Sequence, residues 1–207
     1  MRAEDLTIVS IDDHLIEPPD MFDNHVPAKY ADQAPKLIRD VDGLEKWILQ
    51  GTTMGIMGLN SVVSWLKEQW GMDPSTLSEM RPGSYDIHER IRDMNRNGVL
   101  ASMCFPTFPG FSGRTFQEAA EIGDPALALI MLQAYNDWHI DEWCGAYPGR
   151  FMPLALPPEG WRCTEVRHRR RASSNWRTCI KGTTTPKPIS HRRPARIRKG
   201  AVRWSRA

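Results

Sequence analysis

Asp12 and His14 stand two residues apart at the end of the run Thr7-Ile8-Val9-Ser10-Ile11-Asp12-Asp13-His14, within the string SIDDHLIEPP. Side chains of an extended segment alternate, so Ile8, Ser10, Asp12 and His14 project to one face and Val9, Ile11 and Asp13 to the other. A carboxylate and an imidazole sharing a face can reach one divalent ion, and mixed oxygen and nitrogen ligation suits zinc or manganese. A cation would also offset the cost of placing acids at the end of a buried strand. The plainer alternative is that Asp12 and Asp13 begin a solvated loop and that His14 bonds a backbone carbonyl.

The elements around this pair decide whether it sits where chemistry is done. Both faces of the run start apolar, which predicts a parallel strand covered on two sides, ended by Pro18-Pro19. The stretch SYDIHERIRDMNRNG predicts a helix with Ser84 as cap, Asp86 in the first turn, Ile87, Ile91 and Met94 on one face, and Gly98 past the end. VLASMCFP reads as a buried strand closed by Pro106. A second helix starts at Asp124-Pro125, carries Leu127, Ile130, Met131, Ala134 and Trp138 on one stripe, and ends near Cys144-Gly145. Residues Arg150 to Leu156 read as a third strand in which Pro153 removes a ladder donor. Strand, helix, strand, helix, strand at this spacing predicts a parallel α/β architecture, barrel or doubly wound. In such folds functional groups gather at the carboxyl ends of strands, where Asp12 and His14 lie. Residues 20–83 form an insertion with a hairpin at Asp42-Gly43, expected as a lid or wall beside the first strand's end.

The net charge of +2 conceals a split. Residues 159–207 hold twelve Arg and three Lys against Glu159 and Glu165, a net charge of +13, and residues 1–158 carry the balancing −11. The basic segment has no Leu, Phe, Met, Tyr, Asp or Gln, so it lacks the apolar surface to offset its ordering entropy. Two origins are open. It is either a basic extension whose arginines and Trp161, Trp176 and Trp204 pair phosphates and stack on bases, or the product of a reading-frame shift near Pro158 in GC-rich coding sequence. Cys104, Cys144, Cys163 and Cys179 lie far apart without C-x-x-C spacing, which points to reduced thiols and a cytoplasmic chain. The acidic N-terminus is unlike a signal peptide, and the longest wholly apolar run, Ala126 to Leu132, is too short to cross a membrane.

The strings IDDHLIEPPDMF, VPAKYADQAPKL, IHERIRDMNRNGVLASMCFPTFPG and AYNDWHIDEWCGAYPGRFMPLALPP, in that order, resemble the amidohydrolase-related family that includes aminocarboxymuconate-semialdehyde decarboxylase and resorcylate decarboxylase-like proteins. The resemblance spans residues 7–158. It implies a (β/α)8 TIM-barrel fold, metal-dependent, whose first strand carries an H-x-H, E-x-H or D-x-H pair, and Asp12 and His14 match those metal-ligand positions. Glu17 matches the acid of the family's H-x-x-E-P string, where it either supports a ligand or faces substrate; a capping or loop role is the alternative. Phe105 and Pro106 match a pocket-wall position, with ordinary packing as the alternative. Tyr135, Asn136, Asp137 and Trp138 match a helix motif away from the barrel mouth and read as scaffold. His25, His88, His139, His168 and His191 have no ligand spacing and read as surface or capping residues.

The activity implied is hydrolysis or decarboxylation (carbon-carbon lysis) of a small carboxylated substrate with an aromatic or cyclic body. The family draws further histidines and an aspartate from later strands, whereas here the matched pattern stops after Leu156-Pro157-Pro158. A barrel of this kind needs about 250 residues. The expectation is therefore an incomplete barrel over residues 1–158, with two metal ligands instead of three and no turnover of its own, followed by a disordered or frame-shifted tail. Exposed sheet edges would favour dimers or aggregates. A non-catalytic fragment, or a basic-tailed nucleic-acid-binding protein, is the alternative, and the acidic part of the chain gives the latter no support.

Overall fold

The computed structural model describes residues 6–56, 61–71, 76–107, 115, 116, 118 and 124–157, together with two short strands at 161–163 and 204–206. Strand β1 (Ile8–His14) opens the fold. The insertion after it holds an antiparallel sheet of β2 (Lys36–Arg39), β3 (Glu45–Leu49) and β4 (Thr52–Ile56) in that order. The β2–β3 turn falls where Asp42-Gly43 predicted it. Asp40 Oδ1 accepts the amides of Asp42 and Leu44 at 3.0 and 2.9 Å, and Gly43 takes the left-handed φ of +83° that the turn requires. Trp47 of β3 is buried edge-on against Phe22, 6.3 Å between ring centroids, which anchors this sheet in the core. Leu37 of β2, with Met80 and Tyr85, packs on Ile16, so the insertion walls the chain as it leaves β1.

Helix α1 (Ile87–Arg96) follows, and its cap differs from expectation. Asp86 is the N-cap, accepting the amides of His88 and Glu89 at 2.8 and 3.0 Å. Ser84 stands too far ahead of Ile87 for that role; it lies in a 3₁₀ turn, where its carbonyl accepts the Ile16 amide at 2.8 Å. Ile91 and Met94 face the core, and Gly98, at φ +68°, ends the helix. Strand β5 (Val99–Phe105) then runs parallel to β1, pairing Ile8 with Val99 and His14 with Phe105, with a register irregularity between Ser10 and Asp13.

Helix α2 (Pro125–Trp138) is capped by Asp124, whose Oδ1 accepts the Ala126 amide at 2.8 Å, and continues as a π-helical turn (His139–Cys144) up to Gly145. The third strand expected over 150–156 shrinks to one parallel bridge between Phe151 and Ser102. Pro153 has no amide to donate, and beyond it side chains take over the backbone: Asn136 bonds both the carbonyl and the amide of Leu156, at 2.9 and 2.8 Å. The spatial order β1, β5, Phe151 is still sequential and parallel, as successive β/α units require.

Residues of α1 and α2, including Ile91, Met94, Leu127, Met131, Tyr135 and Trp138, share one buried cluster with Cys104 of β5 and Phe151. The expectation of a β1 covered on both sides is not met. Ile8, Val9 and Ile11 are exposed, Ile11 by 69%, because among the described residues the helical layer covers one side of the β1–β5 pair. The short strands β6 (Trp161–Cys163) and β7 (Trp204–Arg206) pair antiparallel. The rest of the basic tail, with His168 and His191, lies outside the described residues, as does the question of its disorder or shifted frame.

Candidate functional site at the end of strand β1

Asp12 and His14 emerge on one side of β1, with Asp12 Oδ1 4.0 Å from His14 Nε2. Asp13, between them, turns the other way and meets Arg90 of α1, so the pair faces away from that helix. Both partners are solvated, their side chains 89% and 54% exposed, and 4.0 Å is beyond a hydrogen bond. The donor set nonetheless fits a borderline cation. Two bonds of about 2.1 Å at a tetrahedral centre hold their donors about 3.4 Å apart, a gap that small rotations of two exposed side chains would close. Their chemistry, one carboxylate and one imidazole, matches zinc or manganese. Among the described residues no group of three or more His, Cys, Asp or Glu side chains is placed to hold a metal, and a pair falls one short of the three protein ligands a catalytic zinc usually has.

Phe105 lies beside His14, its ring centroid 5.7 Å away at an interplanar angle of 33°. With Pro106 next in the chain, it forms an apolar flank to the pair. Glu17 is placed differently from a ligand: it is 1% exposed, and its Oε1 accepts the Thr107 amide at 2.9 Å and the Tyr135 hydroxyl at 3.1 Å. Thr107 Oγ1 in turn donates to the Leu15 carbonyl at 2.7 Å. These bonds lace the exit of β1 to the exit of β5. Tyr135 thereby departs from the scaffold reading that put it away from the mouth, since it reaches the loop immediately beyond β1. Burial, followed by the charge of Glu17, raises its pKa well above the usual phenol value, so it remains a donor.

Two residues in contact with this strand end, Arg90 and Ser102, were not singled out by the sequence. Arg90 Nη1 donates to Asp13 Oδ1 at 2.8 Å and Nη2 to the His14 carbonyl at 2.6 Å, while Ser102 Oγ donates to Asp13 Oδ2 at 2.6 Å. The available signal was Arg90 lying three residues after Ile87, at the edge of the apolar stripe of α1, where an arginine needs a buried acceptor.

His139 also corrects its sequence reading as surface or capping. It is fully buried, donating from Nδ1 to the Leu154 carbonyl at 3.0 Å, with Nε2 turned to Cys144 Sγ at 3.8 Å. Burial lowers the imidazole pKa to about 4 and raises that of Cys144 to about 12, so the pair is a neutral ring and a neutral thiol, with no activated nucleophile. His25 bonds Glu142 at 2.8 Å and His88 bonds Tyr147 at 2.8 Å.

No protein-family model matches the sequence, and no curated protein matches it. Among solved structures, the crystal structure of an amidohydrolase from Mycobacterium avium subsp. paratuberculosis K-10 is similar at a TM-score of 0.49 and 16% identity. The match covers 70% of this chain and 41% of that one, so the chain spans about two fifths of that structure's length.

Proposed function

We propose that the chain is the N-terminal part of a metal-dependent (β/α)8 hydrolase or decarboxylase of the amidohydrolase superfamily, acting on a small carboxylated substrate with a cyclic body. The observation that carries this reading is the placement of Asp12 and His14 together, on one side of β1 at its carboxyl end. The sequential parallel order of β1, β5 and Phe151 supports the barrel, and the strings over residues 7–158 support the family.

In this reading Asp12 and His14 hold the ion, Phe105 and Pro106 wall the substrate, and Glu17 with Tyr135 and Thr107 holds the two strand exits in place. Bound zinc or manganese would polarise a carbonyl or carboxylate and make bound water acidic enough to ionise near neutral pH. Phe105, flat and apolar beside the imidazole, suits the face of a ring whose carboxylate points to the cation. Two ligands hold an ion weakly, so the chain alone is expected to bind metal and carboxylates but not to turn substrate over.

Zinc titration of the full chain tests this, with benzoate as the carboxylated probe. About one site per chain is expected, strengthened by benzoate and lost in both Asp12→Ala and His14→Ala. Zinc binding that ignores both substitutions would sink the reading.

A further inference from the structure

We infer that Arg90 is a positioning residue for the Asp12–His14 pair: its guanidinium grips the strand end from α1 and sets the direction in which both side chains leave β1. The inference rests on the proposed function for what the pair holds, and on geometry alone for the grip.

Two adjacent nitrogens of one planar fork donate to two adjacent residues, Nη1 to the Asp13 carboxylate at 2.8 Å and Nη2 to the His14 carbonyl at 2.6 Å. A fork bound at two points fixes orientation as well as distance, which a single ammonium does not. The other Asp13 oxygen is held from the neighbouring strand by Ser102 Oγ at 2.6 Å, with Cys104 Sγ more weakly at 3.8 Å. Asp13 is thus pinned between α1 and β5. Because neighbouring side chains alternate across a strand, pinning Asp13 toward the helix commits Asp12 and His14 to the opposite side.

The grip is needed here because regular pairing fails at this point. The β1–β5 register is irregular between Ser10 and Asp13, so the ladder alone leaves the orientation of Asp12 loosely specified. Arg90 also accepts a cost for its place: the side chain is 13% exposed, and its Nε is buried without a hydrogen-bond partner. What offsets that cost is the two-point contact with the strand end, joined by the Trp143 ring 6.0 Å from the guanidinium carbon.

The test combines zinc affinity with hydrogen exchange of the metal-free full chain. Arg90→Gln is expected to weaken zinc binding about tenfold, as loss of a group that orients a ligand does. Arg90→Lys should restore part of it, and Ser102→Ala should fall between wild type and Arg90→Gln. Without metal, the Leu15 amide, bonded to the Phe105 carbonyl at 3.1 Å, should exchange faster in Arg90→Gln. Wild-type zinc affinity and exchange in Arg90→Gln would overturn the inference, as would an Arg90→Lys chain that binds zinc no better than Arg90→Gln. A wild-type chain whose zinc binding ignores Asp12 and His14 would instead overturn the proposed function, and the exchange result would then judge the grip by itself.

Discussion

Tyr135 of α2 donates its hydroxyl hydrogen to Glu17 Oε1 at 3.1 Å, and neither residue is more than 1% exposed. This one bond fastens the second helix to the loop that carries β1 out of the sheet, so the strand end is held from two helices, by Arg90 of α1 and Tyr135 of α2.

Tyr135→Phe keeps the ring and deletes that bond. A buried hydrogen bond to a charged group contributes about 1.5–3 kcal/mol. Urea denaturation at pH 7 should show a loss of that order, with metal-free exchange accelerated at Thr107, whose amide bonds the same oxygen at 2.9 Å. Unchanged stability would mean that the hydroxyl is not bonded in solution.

His139 predicts a pH dependence. Its folded pKa, about 4, lies below the ordinary 6.5, so the unfolded chain takes up the proton first. Its contribution to stability is complete above pH 6.5, declines as pH falls toward 4, and amounts to about 3 kcal/mol across that window. His139→Gln, which keeps a donor for the Leu154 carbonyl, should remove that part of the slope between pH 7.5 and 4.5. Denaturation profiles of identical slope in the two proteins would contradict it.

Gly83 lies against the Arg81–Asp93 pair. A Cβ there would come 2.5 Å from Asp93 Oδ2, to which Arg81 Nε donates at 2.6 Å while Nη2 donates to Oδ1 at 2.5 Å. Gly83→Ala should therefore cost about 1 kcal/mol at pH 7, discounted because the pair is partly exposed. The Arg81 bond depresses the Asp93 pKa, so the pair stabilises above pH 3.8 and fades as pH falls further. The penalty should shrink below pH 3.8, and a constant penalty would show that Gly83 acts through something else.

Among the described residues, every member of the main buried cluster lies at or before Leu156. Removing residues 159–207 should leave the unfolding free energy within about 0.5 kcal/mol of that of the full chain. A large loss of stability on truncation would make the tail part of the fold.

Legibility followed the range of the interactions. Local chemistry was readable: the Asp124-Pro125 helix start, the Asp42-Gly43 turn and the Gly98 stop depend on a few neighbouring residues, and each lies where its sequence put it. The spacing of Asp12 and His14 is local too, although the register irregularity between Ser10 and Asp13 interrupts the strict alternation read along β1. What escaped depends on pairing across the fold. Arg90 meets Asp13 from 77 residues away, and Tyr135 meets Glu17 from 118. The apolar start of β1 suggested cover on both sides, yet apolar composition states a preference for burial and does not supply the covering element. His139 was misplaced because a histidine without ligand spacing was taken for a surface residue, while its partner is a backbone carbonyl, that of Leu154, which no side-chain pattern announces.

The most direct measurement is X-ray absorption at the zinc edge of the full chain loaded with one equivalent of metal. The first shell should be nitrogen and oxygen at about 2.0–2.1 Å with imidazole scattering from one histidine, and that scattering should be lost in His14→Ala. A first shell of sulfur, or an imidazole signature unchanged when His14 is removed, would contradict it.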